Sequence, residues 1–369
     1  MSSAPPTTSA PRPTGAPPQE RLRLVELDSL RGIAALAVVL FHWTSYYDTK
    51  YGHTAEMPLR FPWGTYGVHL FFIISGFVIT MTLERSRTPA SFLRARFYRL
   101  YPTFWAGVVV GTLAALWNRR DMLQPLWVVA ANFTMIPGFL DVPRVDGVYW
   151  TLELELVFYV GMALLVFRKN ASFDALPSRL LIWCTAALTW YAVVRFATGS
   201  DPATAQWAGA HSTLEWLTAL TLTRYIGLFA IGVQLYAMAQ GRKPGLVGYA
   251  LFGAATINQY LWGHRGGVAA CVCSTALVYF AAFYRPSWLR WKPLLLAGAL
   301  SYPIYLVHQN LGFAVIRTGY QFRLHPALAL VLAAISVFAV TYAMRRWVEQ
   351  PAIALGRRSR SRSTEKPAA

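Results

Sequence analysis

The stretch Leu27-Asp28-Ser29-Leu30-Arg31-Gly32-Ile33-Ala34-Ala35-Leu36-Ala37-Val38-Val39-Leu40-Phe41-His42-Trp43 decides the fold of this chain. It is an apolar run that, continued to about residue 47, is long enough to cross a bilayer. Asp28 and Ser29 stand just before the apolar residues, where short polar side chains favour a helix N-cap. Arg31 and His42 are its two conspicuous polar side chains. Their spacing is three helical turns plus roughly 20°, so one helix carries both on the same face, about 16 Å apart along its axis. Arg31 can then sit at the membrane surface and His42 near mid-depth. An ionisable residue at that depth points to a functional site. Singly, Arg31 reads equally as a snorkelling anchor, and His42 as a neutral ring bonded to a neighbouring helix. The shared face favours function for the pair.

Composition extends this environment to the whole chain. Hydrophobic residues make up 55% and charged residues 14%, against about 25% charged in soluble domains. The fold class is an all-α integral membrane protein. A formal net charge of +18 would suit a nucleic-acid binder, but the basic residues gather between apolar runs, as in cytoplasmic loops. Nucleic acid is therefore not expected as a partner. Cys184, Cys271 and Cys273 all lie in apolar runs. Cys271 and Cys273 are about 200° apart on a helix and cannot converge on one ion. Without an HExxH or a His–carboxylate cluster, no metal site is expected.

Residues 1–26, rich in Pro, Ser, Thr and Ala, read as a disordered tail. They hold no apolar core of a signal peptide, so the first span is an uncleaved anchor. The membrane domain is expected over 27–347, and a short basic tail over 348–369. Spans fall at about 29–47, 66–83, 102–117, 148–167, 180–197, 221–239, 246–262, 267–284, 294–314 and 326–346. The shorter piece 125–139, ending at Pro137-Gly138, reads as re-entrant or interfacial. The architecture is thus about ten transmembrane helices plus one short segment. With both termini cytoplasmic, about two thirds of the 34 Lys and Arg fall in the tails and inner loops. A crossing at 125–139 would turn the later clusters outward, against the positive-inside tendency. The expected location is the inner (plasma) membrane.

Among the remaining polar residues, Arg96 and Arg99 share a helical face at the end of a basic segment, 84–99. Such a pair suits a phosphorylated ligand or anionic lipid headgroups, whereas Arg85, Arg87 and Arg94 read as loop charge. Glu153 and Glu155 lie inside a span, where each carboxylate costs about 2.5–3.5 kcal/mol at the centre. Two residues apart, they face opposite ways, so at most one faces an interior site. The connection 198–220 carries His211 and Glu215. His53, His264 and His325 fall in loops or near span ends and read as solvated.

Six segments in order resemble the acyltransferase 3 family of membrane proteins, over about residues 24–351. They are "LDSLRGIAALAVVLFHW", "GVHLFFIISGFVIT", "RARFYRLYPTFW", "VDGVYWTLELELVFY", "LSYPIYLVHQ" and "RRWVEQPA". The family's acidic position falls on Glu155 and its late His on His308. Many members have two adjacent acids where this chain has Glu155 and Leu156. The resemblance is to the stand-alone form, without the SGNH-type domain that some members carry.

The resemblance implies transfer of an acyl group, often acetyl, from acyl-CoA to a hydroxyl. The acceptor would be a cell-surface glycan, a lipid-linked sugar or a small natural product. Acyl-CoA is then a donor substrate, and no permanently bound cofactor is expected. Arg31, Arg96 and Arg99 are the candidate phosphate ligands, since guanidinium groups form bidentate contacts with phosphate. His42 is the candidate general base, because an imidazole titrates near neutrality. Glu155 is expected either to orient His42 and stabilise its protonated form or to tie two helices together. His308, Trp150 and Tyr302 are candidates for positioning acceptor or acyl group. The competing function is a multi-span transporter or channel, which also tolerates intramembrane His, Glu and Arg. That class favours interrupted helices in two related halves, and no internal repeat is evident. The orientation predicts that a cysteine placed in the loop 168–179 is not labelled by an impermeant maleimide in intact cells. Labelling from outside would overturn it.

Overall fold

In hydrocarbon, backbone N–H and C=O groups find partners only in one another, so apolar runs fold as helices. The computed structural model describes residues 24–57, 59–167, 172–199, 201–202 and 213–364. Among these there is no strand. The expected tail lies outside them up to residue 23, as do Arg168, Lys169 and His211.

Helix α1 (Val25–Leu40) continues through a π-helical turn, Phe41–Tyr46, into α2 (Tyr47–Tyr51). It starts a turn earlier than the capping signal implied. Leu24 is the N-cap residue, with no side-chain cap bond. Ser29 lies inside the helix and donates to the Leu289 carbonyl at 2.5 Å. Next come α3 (Gly67–Glu84) and α4 (Pro89–Asn118), the latter opened by a reciprocal Thr88–Ser91 capping box. Helix α5 (Leu126–Asn132) follows. At 1.5 Å per residue it is about 10 Å long and cannot cross a core of about 30 Å, in keeping with the non-crossing expectation for 125–139. The chain continues through α6 (Trp150–Val166), α7 (Leu176–Thr198), α8 (Thr213–Leu220) and α9 (Ile226–Ala239). Then come α10 (Gly245–Phe283), α11 (Lys292–Gln321), α12 (Pro326–Met344) and α13 (Gln350–Thr364). The basic tail therefore begins as a helix, and Gly356 rests against the Tyr98 ring of α4.

Six helices among the described residues are long and apolar enough to cross a membrane by length and composition. The ten spans read from sequence add α1, the 14-residue α9 and α11, and split α10 in two. Helix α10 is one stretch of 39 residues whose backbone breaks at His264, with φ 50° and ψ −144°.

Helix α11 is the axis of the bundle, buried almost without interruption from Gly298 to Ile316. Its crossing with α1 brings backbone onto backbone. A Cβ on Gly32 would lie 2.5 Å from the Gly298 nitrogen, and one on Gly298 would overlap the Asp28 carbonyl. Pro303, inside α11, has no N–H to give to the Ala299 carbonyl, and Arg345 Nη1 donates to that carbonyl instead. The start of α1 is tied to the approach to α11 by the buried Glu26, which pairs with Arg290 at 2.8 Å and Arg285 at 3.4 Å. Arg31 and His42 thus ride on a helix locked against α11. Replacing Gly298 by Val should force the crossing apart and cost at least the 1–3 kcal/mol typical of overpacking, about that much or more. Thermal unfolding in detergent should show a clear drop in midpoint, and an unchanged midpoint would refute the close crossing.

Candidate functional site

The crossing of α1 and α11 brings two histidines together. His308 Nε2 lies 3.2 Å from His42 Nδ1, with ring centroids 4.9 Å apart in an edge-to-face arrangement. Hydrogen-bond accounting assigns the protons. His308 Nδ1 faces two carbonyls, Tyr305 O at 2.9 Å and Ile304 O at 3.1 Å, so it carries a hydrogen. In the neutral ring His308 Nε2 is then a lone pair. His42 Nδ1 faces that lone pair and the Val38 carbonyl at 2.9 Å. Both accept, so His42 Nδ1 donates. His42 Nε2 is left with its lone pair, the tautomer a general base needs. Trp43 locks the arrangement by donating from Nε1 to the His308 carbonyl at 2.9 Å. Its indole fits against α11 because residue 312 is glycine. Phe41 and Tyr46 flank the His42 ring.

Glu155 is not a partner of His42. Its Oε1 accepts from Ser75 at 2.9 Å and from Tyr159 at 2.6 Å. The side chain that meets the His42 imidazole is His308 instead, because α11, not α6, faces it. Glu153 points the other way, as the two-residue spacing requires. It is buried, accepts from Gly138 N and holds Arg144 through two bonds of 2.9 and 2.6 Å.

Glu155 and Arg31 line one narrow cavity, together with Ser75, Ser301, Tyr302 and Tyr305, of about 50 Å³. That is room for a few waters at most. Tyr305 links it to the histidine pair, its ring 5.8 Å from that of His308. The Tyr302 hydroxyl donates to the Leu100 carbonyl at 3.0 Å, so it is already engaged.

Of the three arginines, Arg96 and Arg99 lie on α4 and Arg31 on α1, and all three come near one another. Their commitments differ. Arg99 is ion-paired with Glu349, which is 1% exposed, and its guanidinium lies over the Tyr302 ring. It is therefore not a free phosphate ligand. Arg96 donates to Thr82 Oγ1 at 2.9 Å and packs on Phe92 and Tyr159, while its buried Nε has no partner among the described residues. Trp150 stands apart from all of these. It lines a larger pocket of about 330 Å³ with Arg144, Glu153, Arg224 and Tyr225.

One expectation for the other histidines needs correction. His53 is not simply solvated. It stacks on Tyr47 and shares a 2.5 Å hydrogen bond with the Tyr320 hydroxyl, and burial lowers its pKa. His325 is exposed, as expected, and it caps α12 by accepting from Ala327 N at 3.3 Å. Sequence reasoning also passed over Asp146. This fully buried acid accepts from Val148 N at 3.2 Å and Asn310 N at 3.1 Å. It joins the loop before α6 to α11 two residues beyond His308. Burial pushes its pKa up to about 7. The available signal was an acid directly ahead of the Trp150 motif.

Comparison with known proteins places the chain in a family. The family model described as an acyltransferase domain matches residues 24–346. The chain is 29% identical over 339 residues to the acyltransferase MdmB of Streptomyces mycarofaciens, covering 82% of each. It is 28% identical over 343 residues to the exopolysaccharide production protein ExoZ of Rhizobium meliloti, 87% of this chain and 96% of that one. Similarity to the peptidoglycan O-acetyltransferase OatA of Listeria monocytogenes is 24% over 316 residues, 76% of this chain and 48% of the relative. No solved structure matches. A match running from the first turn of α1 to the end of α12 shows that the chain belongs to the acyltransferase 3 family.

Proposed function

We propose that the protein transfers an acyl group, acetyl in the simplest case, from acyl-CoA to a hydroxyl of a glycan or small molecule, with His42 as general base. The observation that carries this is the 3.2 Å contact between His308 Nε2 and His42 Nδ1, which leaves His42 Nε2 a lone pair. The acceptor oxygen attacks the thioester carbonyl carbon as its proton passes to His42 Nε2. The tetrahedral intermediate then collapses, the carbon–sulfur bond breaks, and the proton returns to the departing thiolate. Atoms and charge balance without a metal or a covalent enzyme intermediate. ExoZ and OatA are named for exopolysaccharide and peptidoglycan, which supports a polysaccharide hydroxyl as acceptor.

In this scheme Arg31 and Arg96 hold the donor's phosphates at the cytoplasmic face of the plasma membrane. Arg99 secures Glu349 and braces Tyr302. The pantetheine arm would approach through the cavity between Arg31 and Tyr305, whose side chains must part to admit it. Glu155 holds α3 to α6 through Ser75 and Tyr159.

In membranes with matched protein levels, His42→Ala should lower transfer from acetyl-CoA by 10²–10⁴-fold, about the range for a lost general base, with donor affinity retained. His308→Ala should lower turnover by about tenfold or more with KM for acetyl-CoA unchanged, since the Val38 carbonyl alone then fixes the tautomer. Arg31→Lys should instead weaken donor binding, because an ammonium lacks the bidentate fork. Near-normal turnover in His42→Ala would end the general-base proposal.

A further inference from the structure

The pocket beside Trp150 is not part of the histidine–arginine site, and its chemistry is different. It lies where the loop before α6, the end of α8 and the start of α9 meet. Its volume, about 330 Å³, is at the low end for small-molecule sites and suits one sugar ring. Leu154, Ala219 and Leu222 form an apolar side. Trp150 and Tyr225 form an aromatic wall, their rings 5.4 Å apart and inclined by 33°. Two arginines face in, and they are not equivalent. Arg144 is neutralised by its two bonds to Glu153. Arg224 has no carboxylate partner among the described residues. Its guanidinium rests 5.2 Å from the Tyr225 ring and 5.8 Å from the Trp262 ring. Among the described residues the pocket therefore carries one positive charge without a carboxylate partner, beside an aromatic surface.

One wall leads toward the histidines. Gly147 lines the pocket, and a Cβ there would lie 3.3 Å from Gln309 Nε2 and 3.4 Å from Oε1. Gln309 is 4% exposed, and its side-chain amide has no hydrogen-bond partner among the described residues. No hydrogen bond among the described residues ties this amide down, so it is poised to meet a polar group that enters. It is the residue next to His308.

We propose that this pocket seats the acceptor as a glycosyl unit bearing an anionic group. The sugar ring lies against Trp150, the anion is held by Arg224, and a hydroxyl is directed past Gly147 to the Gln309 amide. This rests on the acyl-transfer function proposed above and names its acceptor class. A uronate carboxylate and a sugar phosphate offer Arg224 the same bidentate edge. Sugar faces carry C–H groups that pack on an indole, which leaves the hydroxyls free at the rim. The guanidinium of the half-buried Arg224 favours an anionic sugar over a neutral one, because a charge-assisted bidentate contact is stronger than a neutral hydrogen bond.

The test is binding to the full chain in nanodiscs, without acyl-CoA, read by saturation-transfer NMR. The probes are methyl β-glucuronide, glucose 1-phosphate and the neutral methyl β-glucoside. At least one anionic sugar should bind tenfold or more tightly than the glucoside, and which one does so distinguishes carboxylate from phosphate. Arg224→Gln should abolish that preference, Arg224→Lys should keep part of it, and Trp150→Ala should weaken every sugar. Equal binding of all three probes would overturn the proposal, as would no binding of any. A preference that survives in Arg224→Gln would overturn it too, leaving the guanidinium only a support for Tyr225 and Trp262. Retention of acetyl transfer in His42→Ala would remove the general-base function without touching this result. Failure of sugar binding would leave the histidine chemistry standing.

Discussion

The exclusion of water from the membrane interior is the constraint on which this structure depends. A polar group there must find its partner within the protein or lose the several kcal/mol, about 1–3 for a neutral donor or acceptor and more for a charge, that water would have returned. The partners found here are mostly far apart in sequence. Arg345 replaces the N–H that Pro303 cannot offer to Ala299. Glu349 meets Arg99 across the bundle, and Ser75 and Tyr159 share one oxygen of Glu155. Each is a fixed point, because moving one member strands the other. The rigidity of the site follows from these points as much as from apolar packing.

The pairing of His42 with another imidazole, not with a carboxylate, follows the same logic. A carboxylate beside His42 would have to be stripped of water along with it. A neutral ring orients by hydrogen bonding alone and adds no buried charge. His308 can do this because its other nitrogen is held by carbonyls of its own helix, which fixes the lone pair toward His42. Glu155, freed from that duty, sits with Arg31 at the cavity nearer the basic end, where opposite charges share a small volume.

Much of this was legible in the sequence where the signal was local. Arg31 and His42 were legible as residues of one long helical segment. The two-residue spacing of Glu153 and Glu155 sent them to different partners, and the shortness of 125–139 foretold a helix that cannot cross. What was hidden was non-local. Nothing in the pattern of either helix says that residue 42 meets residue 308, or that Arg99 is taken by Glu349, because periodicity fixes a face and not the neighbour it meets. The early start of α1 was missed for a related reason. Asp28 and Ser29 look like caps in isolation, but Ser29 finds its acceptor on the lead into α11, and Glu26 is held inside by Arg285 and Arg290. Tertiary partners outweighed the capping preference.

The π-helical turn at Phe41–Tyr46 explains how one residue, His308, is gripped by two consecutive residues just after α1. In a regular helix neighbours point about 100° apart, so His42 and Trp43 would not both address the same stretch of α11. A turn widened by one residue loosens that constraint locally and shifts the side chains that follow. Here His42 reaches the His308 ring while Trp43 reaches the His308 carbonyl. Beyond the turn, Tyr47 comes round to pack edge-on against Phe313 at 5.0 Å. Thr44 turns its hydroxyl back to the Leu40 carbonyl at 2.6 Å, an acceptor on the segment where the regular bonding changes. The regular helix before the turn carries the arginine to the cavity. The irregular turn sets His42 against His308.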